Sequence, residues 1–236
     1  MDLKEELSLE EEQAVKELIE CCNAHDGTRY TPEADGDAYL LDTENGQLCS
    51  AVIIYSLGET RHGRELEELA AFTRPEKRRQ GRLRAAMNLL QARRKGPYRF
   101  AVYDNPDAAA CLEALKAVHE NDDLLMVFPL EEAEEAAFPP GTETDEEQGY
   151  VRTPSGEAYR KDTGGTLYIA HVLTYPSCRR KGCARALLKA LLWQGRERGS
   201  RQAMLQVSTA NQPALRLYES LGFRETQRVE NWYIEV

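Results

Sequence analysis

The sequence is most informative at first for what it does not contain. No run of about 18 apolar residues occurs in its 236 residues, so no membrane-spanning helix is predicted. The opening MDLKEELSLEEEQ is acidic where a secretory leader would be basic and then apolar, and a cytoplasmic location is the expectation. The six cysteines, Cys21, Cys22, Cys49, Cys111, Cys178 and Cys183, form no CxxC pair, and no histidine lies at zinc-finger spacing. A reduced, metal-free protein follows. Basic charge is in deficit, with 30 Lys and Arg against 40 Asp and Glu, a formal net charge of −10. That argues against general affinity for nucleic acid or anionic membrane, both of which need a basic surface. Any basic patch must be local.

What is present is ordinary globular composition, 42% hydrophobic and 30% charged, in a chain long enough for one large domain or two small ones. Ser8-Leu9-Glu10-Glu11 is a capping-box pattern, and Val15, Leu18, Ile19 and Cys22 follow at helical spacing until Asn23 to Gly27 stop the helix. Ala38–Leu41 and Leu48–Tyr55 flank Glu44-Asn45-Gly46 and read as a hairpin, with a third strand over Leu66–Thr73. A helix over Leu83–Gln91, a strand near Arg99–Tyr103, a helix near Pro106–Glu120 and a strand near Leu124–Leu130 complete a first half. Between Glu131 and Glu147 there are eight acidic residues and no basic one, around Pro139-Pro140-Gly141, which is a linker composition. The second half repeats the order. Strands are predicted at Tyr150–Arg152, Ala158–Lys161 and Thr166–Thr174. A helix after Gly182 puts Ala186, Leu187, Ala190 and Leu191 on one face, and a strand spans Met204–Val207. A helix over Pro213–Leu221 and a closing pair of strands, Phe223–Arg228 and Trp232–Val236, end the chain.

The basic glycine turn Arg179 to Ala184 ends a strand and opens a helix. Helix N-termini carry unpaired amides and partial positive charge, so this turn is a candidate pyrophosphate cradle. It has a counterpart. FTRPEKRRQGRLRA from Phe72 and LTYPSCRRKGCARA from Leu173 share seven of fourteen residues at a constant offset of 101, as between Gly81 and Gly182. Two structurally equivalent halves are therefore expected.

With Arg179, Gly182 and Ala184 after a strand and Pro176, the second half resembles the GNAT acetyltransferase superfamily, whose signature is Arg/Gln-x-x-Gly-x-Gly/Ala. Asn211, Ala214, Tyr218, Gly222 and Phe223 match a second tract of that family. The first half departs from the pattern, with Leu83 at the sixth position and Leu112 opposite Tyr218. The resemblance implies an α+β protein of two GNAT-like halves, each a mixed, mostly antiparallel sheet flanked by helices. The expected division is a degenerate domain at 1–130, a linker at 131–147 and a catalytic domain at 148–236. It implies acetyl transfer from acetyl-CoA to a small-molecule or peptide amine. A non-catalytic acyl-CoA sensor and a different acyl donor stay open.

The resemblance also assigns residues. Backbone groups of Leu173, Thr174 and Tyr175 would pair with the pantetheine arm. Arg179, Arg180, Lys181, Gly182, Cys183 and Ala184 would hold the pyrophosphate. Tyr218 would be the general acid toward the CoA sulfur. Asn211 would bind the pantetheine arm, order a water, or simply cap its helix. The base is undecided among His171, Tyr168, Tyr159 and a water. Cys183 reads as a small residue tolerated beside phosphate, and Trp232-Tyr233 as core or acceptor-pocket lining.

Overall fold

The computed structural model describes residues 1–28, 32, 36–59, 65–93, 96–103 and 105–235. Strands and helices alternate as β1 (Asp2–Lys4), α1 (Leu9–Asp26), β2 (Ala38–Glu44), β3 (Gln47–Glu59), β4 (Glu65–Thr73), α2 (Arg82–Arg93), β5 (Tyr98–Tyr103), α3 (Pro106–Ala114) and β6 (Val118–Pro129). The second series is β7 (Glu143–Asp145), β8 (Tyr150–Thr153), β9 (Gly156–Thr163), β10 (Thr166–Thr174), α4 (Cys183–Glu197), β11 (Gln202–Ser208), α5 (Gln212–Leu221) and β12 (Arg224–Ile234). This is the mixed, mostly antiparallel α+β architecture that the sequence implies.

Two compact units emerge. The first comprises Met1–Asn121 with Val229–Val236, and the second Asp122–Arg228. The last strand of each sheet therefore comes from the other series. In the first unit the order is β1-β2-β3-β4-β5-β12, with Val229–Ile234 antiparallel to β5. In the second it is β6-β11-β10-β9-β8-β7, with Asp123–Pro129 antiparallel to β11. The closing pair of strands read from the sequence is one continuous strand instead, and the boundaries differ from 1–130, 131–147 and 148–236. The expected break lies over residues 229–231, where Asn231 is 2% exposed. Its Oδ1 accepts from Arg99 Nε (3.0 Å) and Nη2 (2.7 Å), and its Nδ2 donates to Asn121 Oδ1 (3.1 Å). An amide hydrogen-bonded at both its oxygen and its nitrogen sits in a strand at little cost.

The acidic segment 131–147 also differs from a linker. Leu130 and Ala133 are buried in the second core, Phe138 packs against it, and Glu143–Asp145 pairs with β8. Three apolar anchors are too sparse to show periodicity, yet they fix the chain. The third helix stops at Ala114, six residues earlier than the helix read from sequence, and Lys116 takes a left-handed φ of 63° that turns the chain into β6.

In the first unit the β-strand period of two puts alternate residues on opposite faces. Tyr39, Leu41, Ala51, Ile53, Ala70 and Phe72 pack with Val15, Leu18, Ile19 and Cys22 of α1. Ala38, Leu40, Val52, Ile54 and Leu69 pack with Ala86, Met87 and Leu90 of α2 and Leu112 of α3. Helix α1 begins as its capping box requires: Ser8 Oγ accepts the Glu11 amide (3.3 Å) and the Glu11 carboxylate accepts the Ser8 amide (3.0 Å). The second unit has one core. Leu167, Ile169, Ala203 and Leu205 face Leu187, Leu188, Leu191 and Leu192 of α4, with Tyr218 and Phe223 beside them. Ala186, expected on the buried face, is exposed, and Leu188 takes its place.

Candidate active site

Strand β10 pairs in parallel with β11 only over Thr166–Tyr168. Beyond Tyr168 the edge of β10 that faced β11 has no strand partner among the described residues. Its other edge is held by β9, and there the register slips: Ala170 lies opposite Tyr159 and Leu173 opposite Glu157. Three steps on β10 thus meet two on β9, a bulge, and His171 occupies it with a left-handed φ of 50°. Bulges re-aim backbone groups and cluster beside active sites. The corresponding stretch of β4 is regular, with Ser50 through Ser56 pairing one for one with Thr73 through Glu67.

The end of β10 is clamped from behind. A Cβ at Gly156 would lie 2.1 Å from the Leu173 carbonyl oxygen, so only glycine allows this approach. The Tyr175 amide donates to Ser155 O (3.0 Å). The contact is made across the sheet and leaves no local pattern in the sequence. The clamp leaves Tyr168, Leu173 and Tyr175 at 44%, 44% and 36% exposure, a run of large apolar side chains presented to solvent. Exposed apolar side chains of this size are candidates for ligand contact.

A 3₁₀ turn at Pro176–Cys178 leads into the basic turn. Arg180 (φ 57°) and Gly182 (φ 81°) are left-handed, and no atom lies within 4 Å of a Cβ built on Gly182. The first helical backbone bond is Ala186 N–H to Gly182 O (3.0 Å), so the amides of Cys183, Ala184 and Arg185 have no intrahelical acceptor. Arg179 Nε donates to Thr174 O (3.2 Å), which folds its side chain against the strand end. Among the described residues no carboxylate pairs with Arg179, Arg180, Lys181 or Arg185. Arg185 instead donates to Ser220 Oγ (2.5 Å) and Ser220 O (3.3 Å), tying α4 to the end of α5.

The first turn has the same backbone and different electrostatics. Arg79 (φ 60°) and Gly81 (φ 77°) reproduce Arg180 and Gly182. Arg78 Nε donates to Thr73 O (3.1 Å) as Arg179 does to Thr174 O. Here, however, Asp26 takes Arg78 in a two-pronged pair (2.6 and 2.8 Å), Glu44 takes Lys77 (2.7 Å), and Asp42 and Glu44 together take Arg82. The Arg78 guanidinium holds the Asp26 carboxyl below its usual range, and the carboxylate raises Arg78 in turn.

Helix α5 starts at Asn211, whose Oδ1 accepts the Ala214 amide (3.3 Å), so the cap role is present. Tyr218 is 7% exposed, its ring edge-on to Phe223 at 5.8 Å. Burial raises its pKa above the ordinary tyrosine value, so the hydroxyl remains a proton donor at neutral pH. That hydroxyl has no hydrogen-bond partner among the described residues. At the matching place α3 carries Leu112, 3% exposed, with no hydroxyl at all. Among the candidate bases, His171 is exposed and edge-on to Tyr159 at 6.4 Å, and Tyr159 is edge-on to Tyr150 at 5.5 Å. Tyr168 lies on the same strand. Cys183 is a half-buried free thiol at the first helical position. No cluster of metal-ligating side chains is found among the described residues.

Residues 129–223 match the family described as acetyltransferase (GNAT). The match lies wholly within the second unit. Over 65 residues the chain is 41% identical to the [ribosomal protein bS18]-alanine N-acetyltransferase of Escherichia coli K12, covering 28% of this chain and 44% of that protein. Over 68 residues it is 29% identical to the aminoglycoside N(6')-acetyltransferase type 1 of Salmonella typhimurium, covering 29% and 47%. The chain thus spans less than half the length of these curated relatives. Among solved structures, a GCN5-related N-acetyltransferase from Sphaerobacter thermophilus superposes with a TM-score of 0.69 at 15% identity, covering 99% of this chain and 95% of that one. A tandem GNAT protein from the clavulanic acid biosynthesis pathway gives 0.62 at 15% identity over 99% and 98%. At such identity these two speak for the fold.

Proposed function

We propose, from the premise that the 129–223 segment belongs to the GNAT acetyltransferase family, that the second unit transfers the acetyl group of acetyl-CoA to an amine held in the same site. The observation that carries this reading is the unneutralised basic turn: among the described residues Arg179, Arg180 and Lys181 have no carboxylate partner, and the helix behind them offers amides without an intrahelical acceptor. A pyrophosphate bound there gains charge-assisted hydrogen bonds without displacing an ion pair. The pantetheine arm extends along the unpaired edge of Ile169–Thr174, adding itself as a strand beside Leu173 and Tyr175. Asn211 keeps its side-chain amide donors free after capping and can reach the arm.

In the reaction the neutral amine attacks the thioester carbonyl, the carbon becomes tetrahedral, and the C–S bond then breaks. Backbone amides re-aimed by the bulge at His171 stabilise the oxyanion. Tyr218 gives its proton to the departing thiolate. The proton lost by the amine passes to His171 or a water, and returns through solvent to Tyr218. The products are the acetamide and CoA thiol, so atoms and protons balance. The substrates of the curated relatives, a ribosomal protein α-amine and an aminoglycoside amine, define the classes to try first.

The test is thiol release from acetyl-CoA across a panel of amines, including N-terminal alanyl peptides and aminoglycosides, with wild type and Gly182→Glu. Acceptor-dependent thiol release by wild type, absent from the variant, supports the reading. Tight acetyl-CoA binding without release toward any amine contradicts it.

A further inference from the structure

A cavity of about 760 Å³ opens in the first unit, and all of its lining residues belong to that unit. It lies where β4 and β5 part, since these strands pair only at Glu67↔Tyr98 and Glu68↔Arg99. Leu69 to Thr73 form one wall and Phe100 to Tyr103 the other, α3 closes the side from Ala108 to Leu115, and the end of α1 at Cys22 to Thr28 covers the mouth. The volume falls in the range of small-molecule sites, and protein cores of this composition are otherwise filled to crystal-like density. The space is made by small residues, Ala70, Ala71, Ala101, Ala108, Ala110 and Ala114.

The rim excludes the ligand that the second unit's turn would attract. Asp26 and Asp107 line the cavity, and each holds a rim arginine, Arg78 at 2.6 and 2.8 Å and Arg79 at 3.9 Å. Lys77 and Arg82 are committed to Glu44 and Asp42. Arg84 donates to Ala114 O (3.3 Å), and Thr73 O already accepts from Arg78 Nε (3.1 Å) and Cys22 Sγ (3.3 Å). A polyphosphate would meet two carboxylates at the entrance, and Arg78, Lys77 and Arg82 could reach it only by leaving a carboxylate partner. Leu83, where the second unit has Ala184, adds apolar wall. Leu112, where the second unit has Tyr218, removes the proton donor, so the chamber suits binding without turnover.

We propose that the first unit is a second binding site, for an uncharged, apolar small molecule that carries hydrogen-bonding groups. Its apolar body fills the space between the alanine-lined walls. Its polar groups meet the edges of Leu69–Ala71 and Phe100–Val102 that face the gap, where no strand pairs them among the described residues.

The test uses the full chain and two related dyes, neutral N-phenyl-1-naphthylamine and anionic 1-anilinonaphthalene-8-sulfonate, read by fluorescence. The neutral dye should bind saturably at one site per chain, at least fivefold more tightly than the anionic one. CoA should not displace it. Ala101→Trp, which fills the chamber, should weaken it at least tenfold, and Ala108→Phe repeats the test from the opposite wall. Gly182→Glu should leave it unchanged. Asp26→Asn, which frees Arg78, should raise the affinity of the anionic dye at least fivefold. The proposal is overturned if wild type binds no neutral dye, if CoA competes with it, or if the anionic dye binds wild type more tightly. It is equally overturned if folded filling variants retain full dye binding. Loss of acetyl transfer with dye binding intact would count against the second unit's assignment alone.

Discussion

The two basic turns have nearly the same backbone and opposite electrostatic fates. Arg79 and Gly81 differ from Arg180 and Gly182 by only a few degrees in φ, yet Asp26, Asp42 and Glu44 neutralise the first turn and, among the described residues, no carboxylate answers the second. The adjoining strands differ in the same sense, regular at β4 and bulged at β10. The helices that follow differ again, Leu112 against Tyr218. The two turns therefore share a backbone form while their electrostatics differ. A glycine turn says where an anion could be held, whereas the surrounding charges say whether one is. Helix α1 explains the divergence: it supplies Asp26 and covers the first gap, and the second unit has no helix in the corresponding place among the described residues.

The sharpest way to break this comparison is to spoil one glycine at a time. Gly182→Glu should abolish acetyl-CoA binding, at least a hundredfold by calorimetry, since it adds a carboxylate and left-handed strain in the middle of the cradle. Gly81→Glu should leave the affinity within twofold. Next in size, Tyr218→Phe should lower kcat by about 10²-fold or more with little change in acetyl-CoA affinity, the scale of losing a general acid. Equal loss of turnover and affinity would instead give Tyr218 a binding role.

A smaller effect separates the units by pH. Asp26 titrates below its unfolded value because Arg78 holds it ionised, so its stabilisation is complete above about pH 4 and is lost as pH falls further. Asp26→Asn should cost about 1–2 kcal/mol at pH 7 and nothing near pH 2, in urea melts across that range. The smallest effect is expected where the units agree. Arg84 and Arg185 both reach the last carbonyls of the helix that follows, Ala114 O and Ser220 O. Alanine at either should cost about 0.5–1 kcal/mol, and equally.

Features that depend on near neighbours in sequence were legible there. The capping box at Ser8 and the cap role weighed for Asn211 are each set within a few residues. What escaped depends on partners brought from afar. Arg78 and Asp26 are 52 residues apart, Arg82 and Asp42 40 apart, and nothing local marks them as pairs. The bulge at His171 answers to the register of β9, and Gly156 to the path of Leu173, neither of which leaves a local pattern. The continuity of β12 through Asn231 rests on Arg99 and Asn121, more than 100 residues away in sequence. The exchange of last strands between the units was hidden for the same reason.

Calorimetric titration of the wild-type chain with acetyl-CoA tests the central claim, that only the second turn holds the phosphates. One molecule per chain is predicted, with none remaining in Gly182→Glu. Two molecules per chain, or one that survives in Gly182→Glu and vanishes in a folded Gly81→Glu, would contradict it.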